Sequence, residues 1–238
     1  MDEKQELLRL LAAAAAGDDP AGRALGPAAR AAGRFAPAQA GAVRAALQTA
    51  LLSAAPDCAY VPVRAGCFAA FGLSEVRFAL PLASLPDEML LRWWGFLRGC
   101  GARSAEVVRA LGFAPAFGAD LDRLDALYFA PPPADFRALK QQLRAPLPAD
   151  AGRLLRAFAA FDSRFAARAA LYEQLAASGE AYTLDRLAIR PSSLRALGVR
   201  EKRVPAVMEL LLDAVIRAPQ LNEYQTLAGL ARSLEGLL

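Results

Sequence analysis

Residues 183–238, TLDRLAIRPSSLRALGVREKRVPAVMELLLDAVIRAPQLNEYQTLAGLARSLEGLL, read as helix, turn, helix, turn, helix. Within them Val204, Val207, Met208, Leu211, Leu212 and Val215 recur at helical spacing, which gives the longest of the three helices one apolar face. Ala218-Pro219 ends that helix, because proline lacks the N–H that the next turn needs. No stretch of the chain alternates apolar and polar residues with the period of two that a half-buried strand requires. The fold class expected is therefore all-α, an elongated multi-helix bundle.

Upstream, residues 151–177 read as one long helix. Leu154, Phe158, Phe161, Phe165 and Tyr172 keep to a narrow apolar stripe, and Arg153, Arg156, Arg164 and Arg168 fall together beside it as a basic edge. A helix over 136–143 puts Arg137, Lys140 and Arg144 on one face. The proline run at 131–133 cannot continue a helix and marks a joint. Three regions are expected: neck-like helices over 1–55, a helical body over 56–130, and a second helical region over 131–238. In the first, DEKQELLRLLAAAAA (2–16) opens with acids in its first turn and ends at Gly17, with further helices over 21–32 and 38–53. Asp18 and Asp19 read as helix caps. In the second, 56–86 is irregular, followed by helical MLLRWWGFLRG (89–99), AEVVRALGF (105–113) and 120–127.

The chain contains no histidine, which removes histidine-based triads and histidine metal clusters together. Cys58, Cys67 and Cys100 match neither a zinc knuckle nor a redox CxxC pair and read as buried free thiols. No apolar run approaches the roughly 20 residues a bilayer span needs, and the acidic N-terminus lacks the basic region of a secretory signal. Cytoplasmic residence without a membrane partner is expected. The net charge of +4, carried mostly by arginine, permits an RNA partner, although an Ala-, Arg-, Leu- and Pro-heavy composition produces a similar excess by itself.

TLDRLAIRPSSLRALGV and LLLDAVIRAPQLNEYQTLAGLA resemble the tail of bacterial tRNA nucleotidyltransferases, the CCA-adding enzymes of the poly(A) polymerase-like class. The matched family stretches are TLKDLAVNGRDLIALGI and LLEAVLDGRLPNEREALLALA. Shared positions include Leu184, Leu187, Leu194, Leu197, Gly198, Leu212, Val215, Leu221, Asn222 and Leu227. DEKQELLRLLAAAAAG is similar to the family's neck, where an Asp and an Arg spaced like Glu3 and Glu6 select the incoming nucleotide. A glutamate at that arginine's place reverses the charge, so the resemblance implies that nucleotide selection is lost at Glu3 and Glu6. RWWGFLRGCGA (92–102) resembles the frame of the family's phosphohydrolase motif, with Arg98-Gly99 where relatives carry the metal-binding His-Asp pair.

The family's catalytic head, with its glycine-serine loop and DxD magnesium site, has no counterpart here. No catalytic residue, metal or cofactor is therefore expected. What the resemblance implies is a headless body and tail that binds tRNA or another structured RNA. The candidate phosphate contacts are Arg137, Lys140, Arg144, Arg153, Arg156, Arg164, Arg168, Arg190, Arg195, Arg200, Lys202 and Arg203. A helical protein-interaction scaffold or remnant is the alternative. A further alternative is one subunit of a split enzyme, with a separately encoded head docking onto 1–17.

Overall fold

A computed structural model describes residues 2–79 and 81–235. The side chains of Asp19, Pro20, Phe161 and Glu235 lie outside the described residues, and so do the expectations placed on Asp19 and Phe161. Among the described residues the chain is all helical and has no strand. None of the described helices is long and apolar enough to cross a membrane. The chain divides into two compact units, Met1–Tyr128 with Ala157–Ser163 and Phe129–Arg156 with Arg164–Leu238.

The first unit begins with α1 (Glu3–Ala15), α2 (Asp19–Ala32) and α3 (Ala40–Leu51). Asp2 and Asp18 cap the first two, their carboxylates accepting from Lys4 N and Ala21 N at 3.4 and 3.3 Å. Helix α1 packs against α2 and α3, and its Leu7 and Leu11, with Leu25, Ala29, Val43 and Leu47, are all buried. Among its described residues the irregular stretch expected from the sequence holds only α4 (Tyr60–Arg64) and short 3₁₀ turns, yet it buries Phe68, Phe71, Leu73, Leu82 and Leu85. Next come α5 (Met89–Cys100), α6 (Ser104–Ala110) and α7 (Pro115–Phe129). Helix α5 is buried along nearly its whole length, Trp93 and Trp94 included.

Close approach to α5 explains its glycines. A Cβ on Gly99 would lie 2.3 Å from Tyr60 Oη and 2.9 Å from the Phe78 carbonyl oxygen, and one on Gly95 would lie 2.4 Å from Leu85 Cδ1. Gly99 is thus a packing requirement of this fold. Gly99→Ala is expected to destabilise by about 2 kcal/mol through overpacking. Gly41→Ala in α3, with nothing within 4 Å of a new Cβ, is expected to stabilise by about 0.5 kcal/mol. Urea unfolding followed by circular dichroism measures both, and equal effects at the two sites would contradict this account.

Arg92 is buried on α5 and donates from Nε to Pro86 O at 2.9 Å and from Nη1 to Leu51 O at 3.3 Å. Burial pushes its guanidinium below the ordinary range. The arginine thus ties the C-terminal end of α3, where unpaired carbonyls carry partial negative charge, to the turn before α5. All three cysteines are free thiols. Burial raises the Cys58 thiol to about 11 and the Cys100 thiol to about 12, which leaves both protonated and unreactive at neutral pH.

The second unit contains α8 (Phe136–Leu143), the start of α9 (Ala151–Phe161), α10 (Ala166–Ser178), α11 (Pro191–Ala196), α12 (Val204–Arg217) and α13 (Tyr224–Glu235). The tail pattern of helix, turn, helix, turn, helix is present, and every residue assigned to the apolar face of α12 is buried. Ile189, Leu194, Leu227 and Ala231 close over that face. Asn222 fastens the turn before α11, accepting from Ala188 N at 2.8 Å and donating to Arg186 O at 3.1 Å.

The single helix expected over 151–177 is corrected. The helical run stops at Phe161, passes through a 3₁₀ turn at Ser163–Phe165, and resumes as α10. One straight helix would hold Gly152 and Tyr172 about 30 Å apart, at 1.5 Å per residue. Instead, Tyr172 Cε1 lies 2.5 Å from where a Cβ on Gly152 would stand, so α10 folds back along the start of α9. Asp162 and Ser163, whose short side chains compete with helical hydrogen bonds, occupy the reversal.

Candidate nucleic-acid interface

The three cations of α8 do not form one solvent-facing surface. Arg137 is exposed and has no ion-pair partner among the described residues. Lys140 is only 1% exposed and pairs with Glu180, so it is removed from the phosphate-contact set. Arg144, half-buried, donates from Nη2 to Glu209 Oε2 at 2.5 Å and from Nη1 to Asp213 Oδ1 at 2.7 Å. The Glu209 hydrogen bond leads in raising its guanidinium pKa against the effect of burial, and Asp213 adds to it. Its charge fastens α8 to α12.

The expected basic edge of Arg153, Arg156, Arg164 and Arg168 depended on one continuous helix and is lost with it. Arg153 and Arg164 are exposed. Arg156 pairs with Glu173 at 2.6 Å across the α9–α10 reversal. Arg168 is 5% exposed, donates to Ala130 O and Pro131 O at 2.8 and 3.1 Å, and lies over the Phe165 ring. Burial lowers its guanidinium pKa. It holds the proline-rich joint to α10 and presents nothing to a phosphate.

Two of the tail candidates come together. Arg190 and Arg195 line one pocket of about 370 Å³ with Asp185 and Glu201, over a floor of Leu184, Pro191, Val204, Pro205 and Met208. Arg190 Nη1 donates to Asp185 O at 2.8 Å, and Arg195 grips both Glu201 oxygens at 2.5 and 2.9 Å. A hydrogen bond from Thr183 leads in holding the Asp185 carboxyl below its usual range, with Arg186 and Arg190 adding to it. Arg200 and Lys202 are exposed and Arg203 half-exposed on the turn that comes after α11. Residues 183–204 carry six cations against two carboxylates, an excess equal to the whole chain's net charge of +4.

At the opposite end of the sequence Glu3 is exposed, and Glu6 is held by Arg9 through two contacts of 2.7 and 2.8 Å. The Arg9 hydrogen bond leads in lowering the Glu6 pKa. Arg98 lies 3.6 Å from Asp125, which also accepts from Trp94 Nε1 at 2.9 Å. Among the described residues no group of three or more His, Cys, Asp or Glu is placed to hold a metal ion.

A second group of cations was missed by the sequence reading. Arg23 and Arg30 stand on the face of α2 opposite buried Ala21, Leu25, Ala29 and Ala32, and Arg64 ends α4. Arg30 and Arg64 line a pocket of about 280 Å³ with Gly26, Val61 and Ala65. The polar side of α2 was visible in its periodicity. Arg64 was not, because it sits in the irregular stretch. No protein-family model, curated protein or solved structure matches the chain.

Proposed function

We propose that the chain is a non-catalytic binder of structured RNA, with tRNA the class implied by the tail and neck resemblance. On this reading it contacts the phosphate backbone through residues 183–204. The concentration of the whole chain's positive excess on this one exposed segment of short turns supports it. Arg190, Arg200, Lys202 and Arg203 carry the contacts, beside Arg195, which is exposed but held by Glu201. Arg137, Arg153 and Arg164 remain accessible for a backbone that runs further.

Mobility-shift titration with total tRNA and with double-stranded DNA of equal length, at low and physiological salt, tests the reading. Tight binding that prefers tRNA and weakens steeply with salt is expected. Replacing Arg190, Arg200 and Lys202 together by alanine is expected to weaken tRNA binding by about tenfold or more and to flatten the salt dependence, because each lost phosphate contact lowers the slope by about 0.7–0.9. Equal affinity for DNA, or a triple variant indistinguishable from the parent, overturns it.

A second reading, a helical protein-interaction scaffold, draws on a specific observation. Lys140, Arg144, Arg156 and Arg168 all satisfy their charge on carboxylates or carbonyls of the same chain. Absence of any RNA binding in the same titration favours it.

A further inference from the structure

We infer that the pocket between α2 and α4 is an oxyanion site, in which Arg30 and Arg64 hold one phosphate group between two guanidinium forks. The site is independent of the tail, and three observations carry it. The first is the absence of a counter-charge in the pocket. Arg9, Arg77, Arg103, Arg123, Arg144, Arg156 and Arg195 each meet a carboxylate at 2.5–2.8 Å. Arg30 and Arg64 are exposed and make no ion pair or hydrogen bond with any described residue, and no acid lines their pocket. Like charges facing one small pocket repel, and an anion between them reverses the sign of that interaction.

The second observation is the floor. Gly26, Val61 and Ala65 offer no polar side chain and no bulk beneath the guanidinium groups. A Cβ at Gly26 would lie 3.8 Å from Arg30 Nη1, an ordinary contact, and within 4 Å of nothing else, so open space adjoins that fork. The third is what this opening does to α2. Gly26 and Pro27 both sit inside the helix. There glycine costs about 1 kcal/mol and proline about 3 kcal/mol relative to alanine. Neither is buried, so core packing does not account for them.

Oxygen count selects among anions. A carboxylate has two oxygens and matches one fork in bidentate fashion, whereas a tetrahedral phosphate has oxygens for two forks at once. Phosphate chemistry is therefore assigned, whether as a phosphodiester of a nucleic acid or as a free phosphate or phosphomonoester.

The test follows the side-chain Nε–Hε signals of Arg30 and Arg64 by ¹H–¹⁵N NMR, assigned through Arg30→Lys and Arg64→Lys, during titration with inorganic phosphate and, at matched ionic strength, acetate. Phosphate is expected to move both signals along one isotherm with Kd of about millimolar, and acetate to move them far less. Arg30→Ala is expected to weaken the response at Arg64 about tenfold, the effect of one charge-assisted contact. Gly26→Glu, which delivers a carboxylate under the Arg30 fork, is expected to abolish the response while far-UV circular dichroism stays unchanged. Signals that stay fixed up to tens of millimolar phosphate, or that respond equally to acetate, overturn the proposal. A short RNA duplex displacing phosphate identifies the source as nucleic acid. Duplex binding that leaves both signals unmoved identifies a free phosphate or monoester, and the tail reading stands or falls separately on the triple variant.

Discussion

Trp94→Ala is expected to destabilise the first unit by about 5 kcal/mol, and Trp94→Phe by about 1–2 kcal/mol. The indole is 1% exposed, lies against Tyr128 and Phe158 with ring centroids 5.1 and 4.7 Å away, and donates to Asp125 at 2.9 Å. Truncation to alanine removes the ring, leaves a cavity, and takes from a half-buried carboxylate its shortest contact. That combination explains a loss at the upper end of the range for large-to-small changes, comparable to the whole stability of a marginal domain. Phenylalanine keeps most of the packing and loses only the N–H. Trp93 supplies the control. It is fully buried against Phe96 and Phe113, but its Nε1 has no hydrogen-bond partner among the described residues. Trp93→Phe deletes a donor that is already unsatisfied and is expected to be closer to neutral. Urea unfolding monitored at 222 nm orders the three variants. An equal loss for Trp93→Phe and Trp94→Phe would show that the Asp125 hydrogen bond contributes nothing.

The two tryptophans illustrate what a sequence makes legible. Their burial follows from the apolar run around them, but which indole finds an acceptor depends on Asp125, a residue 31 positions away. The same division runs through the fold. The apolar face of α12 was readable because helical periodicity is local, and each of its residues is buried. The reversal at Asp162 was not, because an apolar stripe continues in phase when two helices that fold back on each other both face a core. Only the weak local signal of Asp162-Ser163 marked the break.

The candidate site failed where pairing is non-local. Lys140 meets Glu180, and Arg144 meets Glu209 and Asp213, partners 40 to 69 residues away. A count of cations on a helical wheel treats all of them as solvent-facing. Long basic side chains bury their stems readily, so the wheel alone does not separate a phosphate contact from a structural tie. Arg195, whose partner Glu201 is six residues on, lay within reach of local reading.

The Lys140–Glu180 pair carries the other large expected effect, and it is asymmetric. Lys140 has a side chain 2% exposed, whereas that of Glu180 is 29% exposed. Removing the lysine leaves a carboxylate that water reaches, so Lys140→Met, which keeps the apolar stem volume, is expected to cost about 1 kcal/mol or less. Removing the glutamate leaves an ammonium group buried without its counter-ion, and Glu180→Ala is expected to cost about 3 kcal/mol. The double variant Lys140→Met/Glu180→Ala is expected to recover most of that loss, since the stranded charge is then gone. The resulting coupling of about 2 kcal/mol identifies a direct interaction in a double-mutant cycle. Denaturant unfolding of the four proteins measures it. The tRNA titration of the same set separates structure from function: Lys140→Met is expected to bind as the parent does, because an inward-facing ammonium group touches no phosphate. A tenfold loss of tRNA affinity without loss of stability would return Lys140 to the binding surface.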